Sequence, residues 1–168
     1  MSLKDSILKW NGKSKDEIGI IYNRFSIDAE FLPKVFELSQ DEATEIGATW
    51  LLKKHLEMGN TLSVRLTEDF YSFLHKPVNW EAKLHLLQCI PRLSIPSSGK
   101  AEAETFIRNC LSSKNKFVRA WAYGGFCKLA DEHPEYRDEA RQLVDFAMTE
   151  ESASVKARIR NVVKDGFF

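Results

Sequence analysis

Apolar residues return every three to four positions along most of the chain, the spacing of one buried helical face. No stretch holds the alternation of a half-buried strand. The first residues are the least regular: Leu3, Ile7, Leu8 and Trp10 suit one or two amphipathic turns ended by Asn11-Gly12. A helix is predicted over 14–25, with Ser14 as N-cap, Glu17 completing a capping box, and Ile18, Ile21, Tyr22 and Phe25 on its buried face. Further helices are predicted over 31–39, 42–57, 62–76, 79–93, 101–112, 116–131, 136–149 and 153–165. The breaks are Gly59-Asn60, Pro77, Pro96 with Ser97-Ser98-Gly99, and His133-Pro134. The fold class is therefore all-α.

The richest segment is 116–134, where Val118, Ala122, Gly125 and Leu129 share one face. Gly124 and Gly125 would each weaken a helix by about 1 kcal/mol relative to alanine, which makes sense where another helix crosses closely. The helices also come in pairs. Ala43, Ala82, Ala120 and Ala157 are spaced by 39, 38 and 37 residues. Two positions earlier stand Asp41, Trp80, Val118 and Val155, and one position earlier the charged Glu42, Glu81, Arg119 and Lys156. Short pairs cannot bury their own apolar faces, and stacking copies supplies the missing partner.

Lys116-Phe117-Val118-Arg119-Ala120 and Ser154-Val155-Lys156-Ala157 resemble the Val-Arg/Lys-x-Ala opening of the second helix of a HEAT repeat. The resemblance is to HEAT/armadillo-like α-solenoids and covers about residues 28–166. It departs from that pattern at Asp41-Glu42-Ala43, and Asn115 and Ser152 stand where an acidic residue is usual. It implies an α-α superhelix of about four antiparallel helical pairs over 28–168, continuous with an N-terminal helical cap over 1–27.

Twenty-four basic residues balance twenty-four acidic ones, which removes any general argument for nucleic acid or a membrane surface. Cys89, Cys110 and Cys127 are widely spaced inside apolar patterns and read as buried thiols, which points to a reducing compartment such as the cytoplasm. No stretch has the length of a signal peptide's apolar core or of a membrane span. No histidine has a ligand-spaced partner, and no catalytic or phosphate-binding motif occurs, so no metal, cofactor or catalytic residue is assigned. His85 and Cys89, one turn apart, lack a third, orienting group. Trp50 and Trp80 read as core, and Trp121 as flanking it.

In a stacked arrangement the second helices line a concave side suited to binding. Glu81, His85, Arg119, Trp121 and Tyr123 are the candidate partner-binding residues there, with Arg119 and Tyr123 facing outward. Lys156, Arg158, Arg160 and Lys164 form a basic stretch that serves either as a solvated cap or as a binding patch. The leading expectation is a non-enzymatic module that binds a protein partner. The alternative is nucleic-acid binding, or repair of the HEAT-like DNA glycosylase type, through the basic C-terminal end. The cleft motif of that class has no counterpart that can be placed on residues here. HEAT-like lyases acting on bilins share the class, but no cysteine or acidic motif supports that chemistry.

Overall fold

Five helices begin where a short polar side chain, Ser2, Ser14, Ser63, Asn79 or Asn115, takes up orphan backbone N–H groups of the first turn. The computed structural model describes residues 1–166, so the last two residues of the expected repeat region lie outside it. Ser2 opens α1 (Leu3–Lys9) with a full capping box, its hydroxyl accepting from Asp5 N and the Asp5 carboxylate accepting from Ser2 N. Ser14 caps α2 (Lys15–Phe25), accepting from Glu17 N at 3.2 Å. The chain continues through α3 (Phe31–Leu38), α4 (Glu45–Glu57), α5 (Val64–Phe73) and α6 (Trp80–Cys89). Then come α7 (Lys100–Leu111), α8 (Lys116–Glu132), α9 (Arg137–Glu150) and α10 (Ala153–Lys164), with short 3-10 turns at 90–92, 97–99 and 134–136. Among the described residues there are ten α-helices and no strand.

The even-numbered helices pack in series: α2 on α4, α4 on α6, α6 on α8, and α8 on α10. Of the odd-numbered helices, α1 packs on α2, α3 on α4, α5 on α7, α7 on α8, and α9 on α8 and α10. One apolar core runs from Leu3 and Ile7 through Leu51, Phe70, Leu86 and Ile107 to Leu129 and Ala140. A smaller one, Ala120, Tyr123, Ala147, Val155 and Ile159, binds α8, α9 and α10 together.

Close approach uses glycine at four helix contacts or turns. A methyl group on Gly124 would meet Val162 Cγ2 at 3.3 Å, and one on Gly125 would meet Ile107 Cγ1 at 3.4 Å. The paired glycines thus face two different neighbours, α10 and α7. The tighter sites are Gly47, 2.7 Å from Ile7 Cγ2, and Gly99, 2.9 Å from Tyr71 Cβ.

Polar ties join elements one helical pair apart. The buried Glu45 carboxylate accepts from Val78 N (3.1 Å) and Asn79 N (2.5 Å), fixing the first turn of α4 against the start of α6. The same separation recurs in Tyr22–His55, Thr49–His85, Ile95–His133, Arg108–Glu139 and Arg119–Glu151, all between 31 and 38 residues apart.

The alanine anchors do not hold one position within their helices. Counted from the helix start, Ala82, Val118 and Val155 are each the third residue of α6, α8 and α10, and each is buried. Trp80, aligned with Val118 and Val155 by the alanine anchors, is the first residue of α6 and is 44% exposed rather than core. Ala43 precedes α4 altogether, because Asp41 to Thr44 form a turn in which Asp41 Oδ1 accepts from Ala43 N.

Candidate functional site

The even-numbered helices share a position more informative than the alanine anchors. The sixth residue is Trp50 in α4, His85 in α6, Trp121 in α8 and Arg158 in α10. These helices pack in series, so the four positions follow one another as a row; within it Trp50 and His85 share a cavity and Arg158 lies on Trp121. Trp50, Trp121 and Arg158 are half-buried, and His85 is 9% exposed.

At one end, Trp50 and His85 line a cavity of about 210 Å³ with Trp10, Lys53, Glu81 and Gln88, and Lys13 and Lys15 stand at its edge. Trp10 is held by its indole N–H, which donates to Ser14 O at 2.8 Å. Lys53 lies over the Trp50 ring, 5.7 Å from its centroid, and 3.6 Å from Glu57. Thr49 Oγ1 donates to Glu45 O (2.7 Å) and lies 3.0 Å from His85 Nδ1, and the Ile46 backbone also hydrogen-bonds the ring. Burial, with Lys53 adding to it, pushes His85 down to about 3, so the ring is neutral at pH 7. The Gln88 carboxamide oxygen is buried with no hydrogen-bond partner.

At the other end the Arg158 guanidinium lies on Trp121, its Cζ 3.5 Å from the ring centroid. Its Nε is buried with no hydrogen-bond partner, and among the described residues no carboxylate oxygen lies within 4.0 Å of its nitrogens. Burial lowers its pKa from the ordinary arginine value, opposed by the charge of Asp165, and the group stays ionised. The basic stretch is thus split. Lys156, Arg160 and Lys164 follow a four-residue ridge on α10, while Arg158 is turned onto Trp121.

The other candidates are placed differently from the expectation that they face outward. Tyr123 is only 5% exposed and packs with Ala147, Val155 and Ile159. Arg119 forks the Glu151 carboxylate, Nε to Oε1 at 2.8 Å and Nη2 to Oε2 at 3.1 Å, while its Nη1 donates to Ser113 O at 2.9 Å. The Tyr123 hydroxyl donates to the same Glu151 at 3.4 Å. Hydrogen bonding from Arg119 holds the Glu151 carboxyl below its usual range and raises Arg119 in turn. Arg119 and Tyr123 therefore lock the corner between α9 and α10 onto α8. Glu81 is half-buried in the first turn of α6, its N–H donating to the capping Asn79 at 2.8 Å, and it does reach the cavity.

Sequence reading missed Trp10, Lys53 and Gln88 in the cavity. Trp10 could not be placed from spacing, since it lies in the irregular first segment. Cys89, Cys110 and Cys127 are free, buried thiols, and burial pushes all three up, Cys110 to about 12 and Cys127 to about 11. That protonated state removes them as nucleophiles near neutral pH. Among the described residues no three His, Cys, Asp or Glu side chains group as a metal site, and no helix is long and apolar enough to cross a membrane.

Compared with protein-family models, with curated proteins and with solved structures, the chain matches none.

Proposed function

We propose that this chain is a non-enzymatic HEAT-like module that binds a segment of a partner protein on the layer formed by α4, α6, α8 and α10. The observation that carries the reading is the row Trp50, His85, Trp121 and Arg158, one side chain from the same place in each helix. Half-buried tryptophan and arginine are the side chains that most often anchor protein interfaces, since their large flat faces lose little entropy on binding. The serial packing of the even helices and the polar ties 31 to 38 residues apart support the HEAT-like stack of pairs. Recognition here is passive: indole faces and the small cavity take apolar side chains, and the surrounding charges set orientation and encounter rate.

The test is capture of partners from a cell extract on the immobilised chain, with identification by mass spectrometry. Wild type should retain a specific protein, and Trp50→Ala combined with Arg158→Gln should lose it while helical circular dichroism and the melting temperature stay near wild type. Retention of the same protein by the double variant sinks the reading. The nucleic-acid alternative rests on Lys156, Arg160 and Lys164, since Arg158 is turned away from that ridge. Retention of an oligonucleotide at about 50 mM salt, falling steeply as salt rises, would favour it.

A further inference from the structure

Arg158 differs from two other arginines of the same end of the molecule in one respect. Arg108 forks Glu139 and reaches Glu104, and Arg119 forks Glu151, whereas Arg158 has no carboxylate within 4.0 Å among the described residues. Stacking on Trp121 nevertheless fixes its plane, so the fork is oriented before any partner arrives. Its Nε is buried, so the donors left for an anion are the two Nη groups, which are not buried and hold no hydrogen bond among the described residues. At the far end of the row, Lys13, Lys15 and Lys53 line the cavity with Glu81; Lys53 is paired with Glu57 at 3.6 Å, and His85 adds no charge. Lys13 and Lys15 at one end and Arg158 at the other are therefore the cations left for a ligand.

Resting on the reading of this layer as a protein-binding face, we infer that the bound segment is acidic and extended, with one carboxylate seated on the Arg158 guanidinium. Its apolar side chains lie on Trp121 and enter the Trp10–Trp50 cavity, and further carboxylates meet Lys13 and Lys15. Neighbouring helices in such packing stand about 8–10 Å apart, so α4 to α10 spans about 24–30 Å. An extended chain rising about 3.3 Å per residue covers that distance in about eight or nine residues. A single guanidinium fork matches one carboxylate in a bidentate pair.

The experiment is a titration followed by tryptophan fluorescence, at about 50 mM and about 200 mM salt. The probes are a decapeptide alternating Glu and Leu, the same peptide with Gln for every Glu, and a ten-residue oligothymidylate. The Glu–Leu peptide should bind saturably and more weakly at the higher salt, the Gln–Leu peptide and the oligothymidylate at least tenfold more weakly. Arg158→Gln removes no hydrogen bond of the fold, and it should lose at least tenfold for the Glu–Leu peptide. Lys13→Glu with Lys15→Glu, both exposed, should also weaken that peptide. Equal binding by Arg158→Gln, equal binding of the Gln–Leu peptide, tighter binding of the oligothymidylate, or no saturable binding overturns the inference. If wild type still captures a protein in the extract experiment while the Glu–Leu peptide fails, the acidic-segment inference falls and the protein-binding reading stands.

Discussion

Two flanks of α8 carry an arginine each, and their fates are opposite. On one flank Arg119 is consumed by Glu151, Ser113 O and Lys114 O, with Tyr123 donating to the same carboxylate. On the other, Arg158 of α10 rests on Trp121 with no carboxylate in reach among the described residues. Both arginines belong to a run of charged and apolar residues that looks alike in sequence. The difference lies in what the next connection brings: the turn after α9 delivers Glu151 to Arg119, whereas Asp165 after α10 acts on Arg158 only as a charge, and no described carboxylate comes within 4.0 Å of it. A charged side chain beside a helix's buried stripe can therefore be a structural bolt or an open receptor, and pairing decides which.

The comparison breaks most sharply at Glu151. Glu151→Ala leaves the half-buried Arg119 and the buried Tyr123 without their shared acceptor and should destabilise the fold by about 2–3 kcal/mol in urea unfolding. That is a fall in Tm of about 5–10 °C. The folded Glu151 carboxyl lies below its ordinary value, so its stabilisation is present above the unfolded pKa near 4.5 and is lost as pH falls through the folded one. Glu151→Gln should accordingly flatten the acid limb of the stability curve.

His85 sharpens the contrast from within the row. Its folded value near 3 lies below the ordinary 6.5, so below pH 6.5 the unfolded chain takes up a proton that the folded chain refuses. Stability should fall with pH at up to about 1.4 kcal/mol per unit, roughly 2 kcal/mol by pH 5. His85→Gln should remove that slope, as read by urea midpoints between pH 7 and pH 5. An unchanged slope would mean that the ring is not held neutral by the fold. Gly99→Ala should cost about 1–2 kcal/mol, since the new methyl group would strike the base of Tyr71. Gly125→Ala should be near neutral, because about 1 kcal/mol of helix propensity offsets a contact that is merely close. Arg158→Gln should also shift stability little, by under about 1 kcal/mol, the worth of a cation–π contact. A larger loss would make Arg158 a bolt like Arg119.

The helix boundaries were legible because caps and breakers are local: Ser14, Asn79 and Asn115 all cap as side-chain acceptors, and Pro77 and Pro134 stop what precedes them. The buried face of α8 was legible too, since Val118, Ala122, Gly125 and Leu129 are all buried. The roles of Arg119 and Tyr123 were not. A position beside an apolar stripe is outward only if no later segment folds over it, and Glu151 does so from 32 residues away. Trp80 misled for a different reason. Alanine anchors spaced 39 and 38 residues apart lie at the third place of α6 and the fifth of α8, so one alignment mixed two registers. The sixth-position row becomes visible only when counting starts from the true helix ends. Gly47 and Gly99 carry no periodic signal at all, because what makes them necessary is Ile7 in one case and Tyr71 in the other.

The three protonated thiols give the molecule a set of internal clocks. Cys89, Cys110 and Cys127 sit on α6, α7 and α8, of which α8 packs on the other two, and all three are buried, Cys110 at the wall of a cavity it lines with Leu74 and Phe106. Alkylation at each site therefore measures how often its helix opens. Three matching rates would mean that the middle of the chain opens as one unit, and three different rates would order its opening helix by helix.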